Sequence, residues 1–369
     1  MKGEVNVMRD FEHIKKNKEQ IDYYDLDEEV KCMMDLLDGP DSEKSLVIIA
    51  HINPDGDAVG STMGLAYYLH EKYEYNIFPF VADTLAPGLK KYLSEDPVFS
   101  ALEKPVVEKP YACIAVDCAG DYRLAGLDLF RDATVNMVID HHVSNSFYGQ
   151  RNFVRVSEAC CMNIFLSISH SSWKYYTSRC TNNNRTAADY LYLGILHDTG
   201  GLDRLNKQIA AAVAELIASG ADHKEILMKT RKNNALHTYC AKASLVNSVR
   251  SAFGNKVAYL LVNREQMVNL SLHSETLLEM AAELRDCEDV RLGFIGYKTG
   301  NKEREWRFMF RSKGDWLDLN LFLETFGGGG HFNAAGWTMQ LSPGDTIEAL
   351  VLRFLERVKT LKGEDVSLL

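Results

Sequence analysis

Leu46-Val47-Ile48-Ile49-Ala50-His51-Ile52-Asn53-Pro54-Asp55-Gly56-Asp57 is the stretch on which the fold turns. Leu46 to Ala50 is a short apolar run rich in β-branched residues, the composition of a buried strand. Asn53 to Asp57 has the composition of a turn, and a helical pattern follows from Ser61 to His70. Strand, turn and helix in that order form the unit from which parallel sheets are built.

The same pattern recurs along the chain. Ile77 to Val81, Ala112-Cys113-Ile114-Ala115-Val116 and Val135 to Ile139 are further apolar runs of strand length. Together they predict an α/β fold with a doubly wound parallel sheet. Residues 159–219 read as mostly helical. Within them Thr181-Asn182-Asn183-Asn184-Arg185 reads as a surface loop, and Ala210, Ala211, Ala212 and Ala214 as part of a tightly packed helix. Residues 1–40 read as a polar helical extension with apolar positions at Ile14, Ile21, Met33, Met34, Leu36 and Leu37.

Downstream, the patterning predicts strands at Lys256 to Val262, Val290 to Tyr297 and Trp306 to Arg311, and a helix from Thr276 to Leu284. A last amphipathic helix carries Ile347, Leu350, Val351, Phe354, Leu355 and Val358 on one stripe. The expected division is an extension (1–40), a parallel-sheet metal-binding catalytic domain (41–230), a helical connector (231–250) and a smaller mixed α/β substrate-binding domain (251–369), with a cleft between the domains.

Composition narrows the function. With 369 residues, 46% of them apolar, the chain can bury a large core. No run of about 18 apolar residues is present to span a bilayer, and the first residues lack a signal-peptide core, so the expectation is a cytoplasmic protein without membrane association. The eight cysteines show no C-x-x-C spacing and read as reduced, small core residues. A formal charge of −10 argues against a long duplex nucleic-acid track, yet allows a small anionic substrate held by a local basic pocket.

The chemistry gathers at the ends of the expected strands. Asp55, Asp57, Asp117 and Asp140 all fall at or just past such ends, where ligands collect in parallel sheets. Carboxylates that converge repel one another unless cations lie between them. Alone, a D-x-D after a strand is more often a turn or helix cap. Jointly with His51, His141, His142 and Asp198, these residues point to metal. Imidazole and carboxylate ligands without thiolate suit Mn2+, or alternatively Fe2+, Co2+ or Mg2+. Two such ions about 3.5–4 Å apart can clamp a phosphoryl transfer.

Over residues 45–340 the chain resembles the DHH phosphoesterases, in the stand-alone form with a C-terminal DHHA1 domain, which includes nanoRNA-degrading enzymes, pAp phosphatases and cyclic-di-AMP or pApA phosphodiesterases. His51, Asp55 and Asp57 stand as in the first motif, Asp117 as in the second, Asp140-His141-His142-Val143-Ser144-Asn145 as in the third and Asp198-Thr199-Gly200 as in the fourth. The resemblance implies that His51 and Asp55 hold one ion, Asp57, His141 and Asp198 the other, and that Asp117 bridges them. It also implies that Asp140 orients His141, and that His142 is the catalytic partner beside the scissile phosphate.

Phe326 to Gly336 resembles the substrate-binding signature of DHHA1, in which Gly328, Gly329, Gly330 and His331 would contact substrate. Four consecutive glycines permit close backbone approach, and successive amides can form an anion-binding concavity to which a following helix start would add. Arg311 and Ser312 match the family's Arg-Ser element. Arg307, Met309 and Arg311 are expected on one strand face, with Trp306, Phe308 and Phe310 on the other.

Two stretches depart from the family pattern: Ala159-Cys160-Cys161-Met162 after the third motif, and Gly201-Leu202-Asp203-Arg204-Leu205-Asn206 after the fourth. The expected substrates are short oligoribonucleotides, pApA-like dinucleotides and pAp, and the resemblance suggests a homodimer. The alternatives are an inorganic pyrophosphatase or exopolyphosphatase and a catalytically silent nucleotide sensor.

Overall fold

The computed structural model describes residues 24–362, except 83, 97, 157–158, 169–184, 231–235 and 301–303. The chain forms two compact units, residues 1–233 and 234–369. Among the described residues no helix is long and apolar enough to cross a membrane.

In the first unit the order is α1 (Leu26–Met34), β1 (Ser45–Ile49), α2 (Gly56–Lys72), β2 (Asn76–Phe80), α3 (Pro87–Ser94), β3 (Tyr111–Val116), α4 (Leu127–Asp132), β4 (Val135–Asp140), β5 (Arg151–Val154), α5 (Cys160–Leu166), α6 (Ala187–Asp198), α7 (Lys207–Ala218) and α8 (His223–Thr230). The five strands are parallel throughout, in the order β2-β1-β3-β4-β5. Successive residues on a strand point to opposite faces. Leu46, Ile48, Ile114 and Ile139 therefore pack with Met63, Ile164 and Leu191, whereas Val47, Ile49, Cys113 and Val138 pack with Leu129 and Phe130. Burial on both faces explains why these strands are continuous apolar runs. Strand β5 has no such signal, because Arg-Asn-Phe-Val sits at the sheet edge.

Helices α2 and α6 cross closely. A Cβ at Gly60 would come within 2.5 Å of the Tyr190 carbonyl oxygen, and one at Gly194 would overlap Cys161 Sγ. The crossing therefore needs positions without side chains.

Several expectations change. Arg185 is no surface residue: it is 4% exposed, its guanidinium lies 3.8 Å over the Tyr92 ring and it donates to the Tyr92 carbonyl. Stacking and hydrogen bonding make a buried guanidinium acceptable. The remainder of that proposed loop, 181–184, lies outside the described residues, as do Ile14 and Ile21. Helix α7 forms, but it lies at the periphery, with Ala212 buried and Ala211 and Ala214 exposed. Leu36 is exposed too, beyond the end of α1. Cys113, Cys118, Cys160 and Cys161 are core residues, whereas Cys32, Cys240 and Cys287 are exposed; Cys180 lies outside the described residues.

The second unit runs α9 (Leu236–Val246), β6 (Arg250–Ala252), β7 (Val257–Val262), α10 (Arg264–Asn269), α11 (Ser274–Asp286), β8 (Leu292–Lys298), β9 (Glu305–Ser312), α12 (Leu319–Glu324), β10 (Gly329–His331), β11 (Ala334–Gln340) and α13 (Ile347–Lys362). Its mixed sheet has the order β10-β11-β9-β8-β7-β6, with β7 and β8 parallel and the other pairs antiparallel. Trp306, Phe308 and Phe310 pack against Phe354 of α13. On the opposite face Met309 is buried with Leu277 and Met280 of α11, so that face is apolar at its centre and flanked by half-buried Arg307 and Arg311.

Candidate metal centre

The sheet order reverses direction between β1 and β3: the connection through α2 leads to β2 on one side, and β3 lies on the other. Ligand sites in open parallel sheets form outside the carboxyl ends of the strands at such a switch point. His51 follows β1, Asp117 follows β3, and Asp140 is the last residue of β4.

Local structure aims each group. His51 Nδ1 lies 2.7 Å from the Ile52 carbonyl oxygen, which fixes the proton there and leaves Nε2 directed at Asp117 Oδ2, 3.6 Å away. Asp55 is indeed a helix cap: its Oδ1 accepts the amides of Asp57 at 2.9 Å and Ala58 at 3.2 Å. Asp57, inside the first turn of α2, accepts amides from Cys160 at 2.7 Å and Cys161 at 3.0 Å, the first residues of α5. Asp117 has φ of 51°, a left-handed conformation uncommon outside glycine and typical of constrained functional positions. His141 Nε2 lies 3.2 Å from Asp117 Oδ1 and 3.8 Å from Asp57 Oδ2.

Three sets of possible ligand atoms result in the first unit, each with all members within 4.8 Å of one another: His51, Asp55 and Asp117; Asp57, Asp117 and His141; and Asp117, Asp140 and His142. Asp117 belongs to all three, and in the third Asp140 and His142 are already paired with each other.

The electrostatics fit cations. Asp117 Oδ1 is buried and has no hydrogen-bond partner; His141 approaches it without bonding geometry. Although burial opposes its ionisation, the imidazoles of His141 and His51 hold Asp117 well below the usual carboxylate range. Burial, then the charges of Asp117 and Asp198, push Asp57 up to about 8. Burial opposes protonation of His141, yet Asp117, with Asp57 and Asp198 behind it, raises it to about 10. These are carboxylates and imidazoles crowded together, an arrangement that divalent ions relieve. Burial raises the Cys160 and Cys161 thiols well above their ordinary range, so neither adds a thiolate.

Asp140 corrects an expectation. Its Oδ1 is 2.8 Å from His142 Nδ1, so the histidine it orients is His142, two residues on, rather than His141. Asp140 is fully buried, and its Oδ2 accepts from Asn145 Nδ2 at 2.6 Å. Sequence reasoning quoted Asn145 without assigning it this part, and it missed the Cys160 and Cys161 amides altogether. The signal for the latter was available: an apolar helix start following a strand offers unpaired N–H groups. Asp198, at the end of α6, belongs to none of these ligand sets and lies 3.7 Å from Arg204 of the departing segment.

In the second unit the glycine run differs from expectation. Gly327 and Gly330 do have positive φ, 80° and 153°. However, the amides of Gly327, Gly328 and Gly330 donate to Glu324, Leu323 and Asn320, so they do not form an open anion concavity. Strand β11 follows the run in place of a helix. Ser312 is buried, with Oγ 2.9 Å from the Leu317 carbonyl oxygen and 2.8 Å from Asn333 Oδ1, which makes it structural rather than substrate-binding. Arg311 is half-buried and donates to the Phe310 carbonyl.

A parallel sheet with paired carboxylate-imidazole sets at its switch point is an arrangement suited to two-metal hydrolysis. Residues 45–195 match the DHH family, N-terminal domain, and the chain is a phosphoesterase. It is 27% identical over 331 residues to the bifunctional oligoribonuclease and PAP phosphatase NrnA of Thermus thermophilus, covering 86% of this chain and 90% of that protein. To the protein of the same name from Bacillus subtilis it is 24% identical, covering 79% and 88%. Its fold is similar to the crystal structure of an exopolyphosphatase-related protein from Bacteroides fragilis, with a TM-score of 0.66 at 19% identity, covering 87% of this chain and 94% of that one.

Proposed function

We propose that the protein is a Mn2+-dependent phosphoesterase that hydrolyses short oligoribonucleotides, linear dinucleotides such as pApA, and pAp. The observation that carries this reading is the pair of ligand sets joined by Asp117. His51, Asp55 and Asp117 would hold one ion; Asp57, His141 and Asp117 would hold the other, with Asp198 reaching it from the side. Ions bound there supply an activated water and charge neutralisation for displacement at phosphorus. Ligands of this type suit Mn2+, with Fe2+, Co2+ or Mg2+ as the other metals such ligands take.

The chain's own groups do the rest. Asp140 fixes the Nδ1 proton of His142, so Nε2 is the atom that stabilises the phosphoryl charge or passes a proton to the leaving oxygen. In the second unit Arg311 and His331 bind a substrate phosphate, where the planar guanidinium fork is suited to the task. Gly328, Gly329 and Gly330 allow the substrate to approach the backbone. The names of the two curated relatives support the choice of substrates.

The test is turnover by the purified protein with Mn2+ on pApA, a short RNA, pAp, cyclic-di-AMP and pyrophosphate, with products resolved chromatographically. Release of AMP from pApA, short RNA or pAp is expected. Turnover of pyrophosphate alone would make the protein an inorganic pyrophosphatase, and metal binding without turnover would make it a nucleotide sensor.

A further inference from the structure

The turn after β3 lies against the ligand set containing His51. Ile52 N donates to the Arg123 carbonyl at 2.7 Å, Ala125 N donates to the Ala50 carbonyl at 3.0 Å, and His51 pairs with Leu124 in an antiparallel bridge. This stitching holds the 3-10 turn Asp121–Arg123 at the edge of the metal centre.

The turn presents two side chains that the fold does not use. Tyr122 is 77% exposed, and its ring lies against Gly120, where a Cβ would come within 2.6 Å of the ring. An aromatic ring seated on backbone and open to solvent on its other face is a ready stacking platform. Arg123 is half-buried and makes no side-chain hydrogen bond or ion pair among the described residues. The neighbouring acid, Asp121, is instead taken by Arg131 at 2.7 Å. In a chain of net charge −10, an uncommitted guanidinium beside a carboxylate cluster is placed for an anion.

We propose that the turn Gly120–Leu124 is a nucleotide-binding edge of the catalytic unit, in which Tyr122 stacks on a nucleobase and Arg123 holds a phosphate of the same substrate. The proposal rests on the nucleotide-phosphoesterase reading above and deepens it. A pyrophosphate has no base to stack, so an exposed ring at this edge selects nucleotides.

The experiment compares kcat/KM for pApA with that for an analogue whose bases are replaced by hydrogen. In Tyr122→Ala the preference for the base-bearing substrate falls about 5- to 150-fold, the range that one base–aromatic stack supplies. Tyr122→Phe keeps the preference, because stacking needs the ring and not the hydroxyl. Gly120→Ala, which displaces the ring, behaves like Tyr122→Ala. In Arg123→Ala both substrates lose kcat/KM together, and Arg123→Lys recovers part of the loss. An unchanged preference in Tyr122→Ala, or equal losses in the Ala and Phe variants, overturns the stacking assignment. Failure of the unmodified protein to turn over any nucleotide is a separate outcome, which overturns the underlying reading.

Discussion

Asp140 Oδ1 and His142 Nδ1 are 2.8 Å apart, which ties the last residue of β4 to the second histidine of the run. Both also form a third possible ligand set with Asp117, but their mutual hydrogen bond commits Asp140 Oδ1 and His142 Nδ1 to each other, so proton handling is assigned to this pair and metal binding to the other two sets. Asp140→Asn, which removes the charge that fixes the imidazole tautomer, should lower kcat by roughly 100-fold or more while bound metal stays constant. Turnover and metal content measured on the same preparation check this. Loss of metal instead would return Asp140 to the support of His141.

Because Asp117 belongs to both ligand sets, Asp117→Asn should lose both ions, whereas His51→Ala should lose only one. Elemental analysis after dialysis against Mn2+ distinguishes these outcomes. Equal stoichiometry in the two variants would remove Asp117 from the bridging position.

Metal binding should depend on pH in a defined direction. Without an ion, Asp57 is pushed up to about 8 and His141 to about 10, both above neutrality, so both carry protons that a cation must displace. Apparent Mn2+ affinity should therefore rise with pH, and the protons released per ion should fall as each group's own pKa is passed. Calorimetry in buffers of different ionisation enthalpy measures both quantities. Affinity independent of pH between about 6 and 9 would contradict the crowding of these groups.

The crossing of α2 and α6 should respond to a single methyl group. Gly194→Ala places a Cβ on Cys161 Sγ and within 2.9 Å of Asp57 Oδ1. A loss of about 1–3 kcal/mol in chemical denaturation is expected from overpacking. Adding Cys161→Ala should recover part of that loss, and purely additive effects would show that the two positions do not share the space.

The parallel sheet was legible because both of its faces are buried, which leaves continuous apolar runs such as Leu46 to Ala50. The convergence of Asp57, Asp117 and His141 was legible for a related reason: strand ends are the one place where distant carboxylates can meet. Partners within the polar network were less visible. Nothing in the order Asp140-His141-His142 says which imidazole the carboxylate reaches; the backbone after β4 decides that. The glycine run invited an open loop, but three of its amides donate to Glu324, Leu323 and Asn320 of α12, partners that the run's own composition does not name. Burial of Ser312 depends likewise on Leu317 and Asn333, neither of which its own neighbours announce. Arg185 was misplaced because a polar run was read as one loop, when its last member inserts beneath Tyr92.

Every member of the two ligand sets lies between residues 51 and 141, within the unit that ends at residue 233. During synthesis, therefore, the whole complement of ion-binding side chains leaves the ribosome before the first residue of the mixed sheet is made. The direction of translation delivers the reaction chemistry ahead of the segment proposed, through Arg311 and His331, to grip a substrate phosphate.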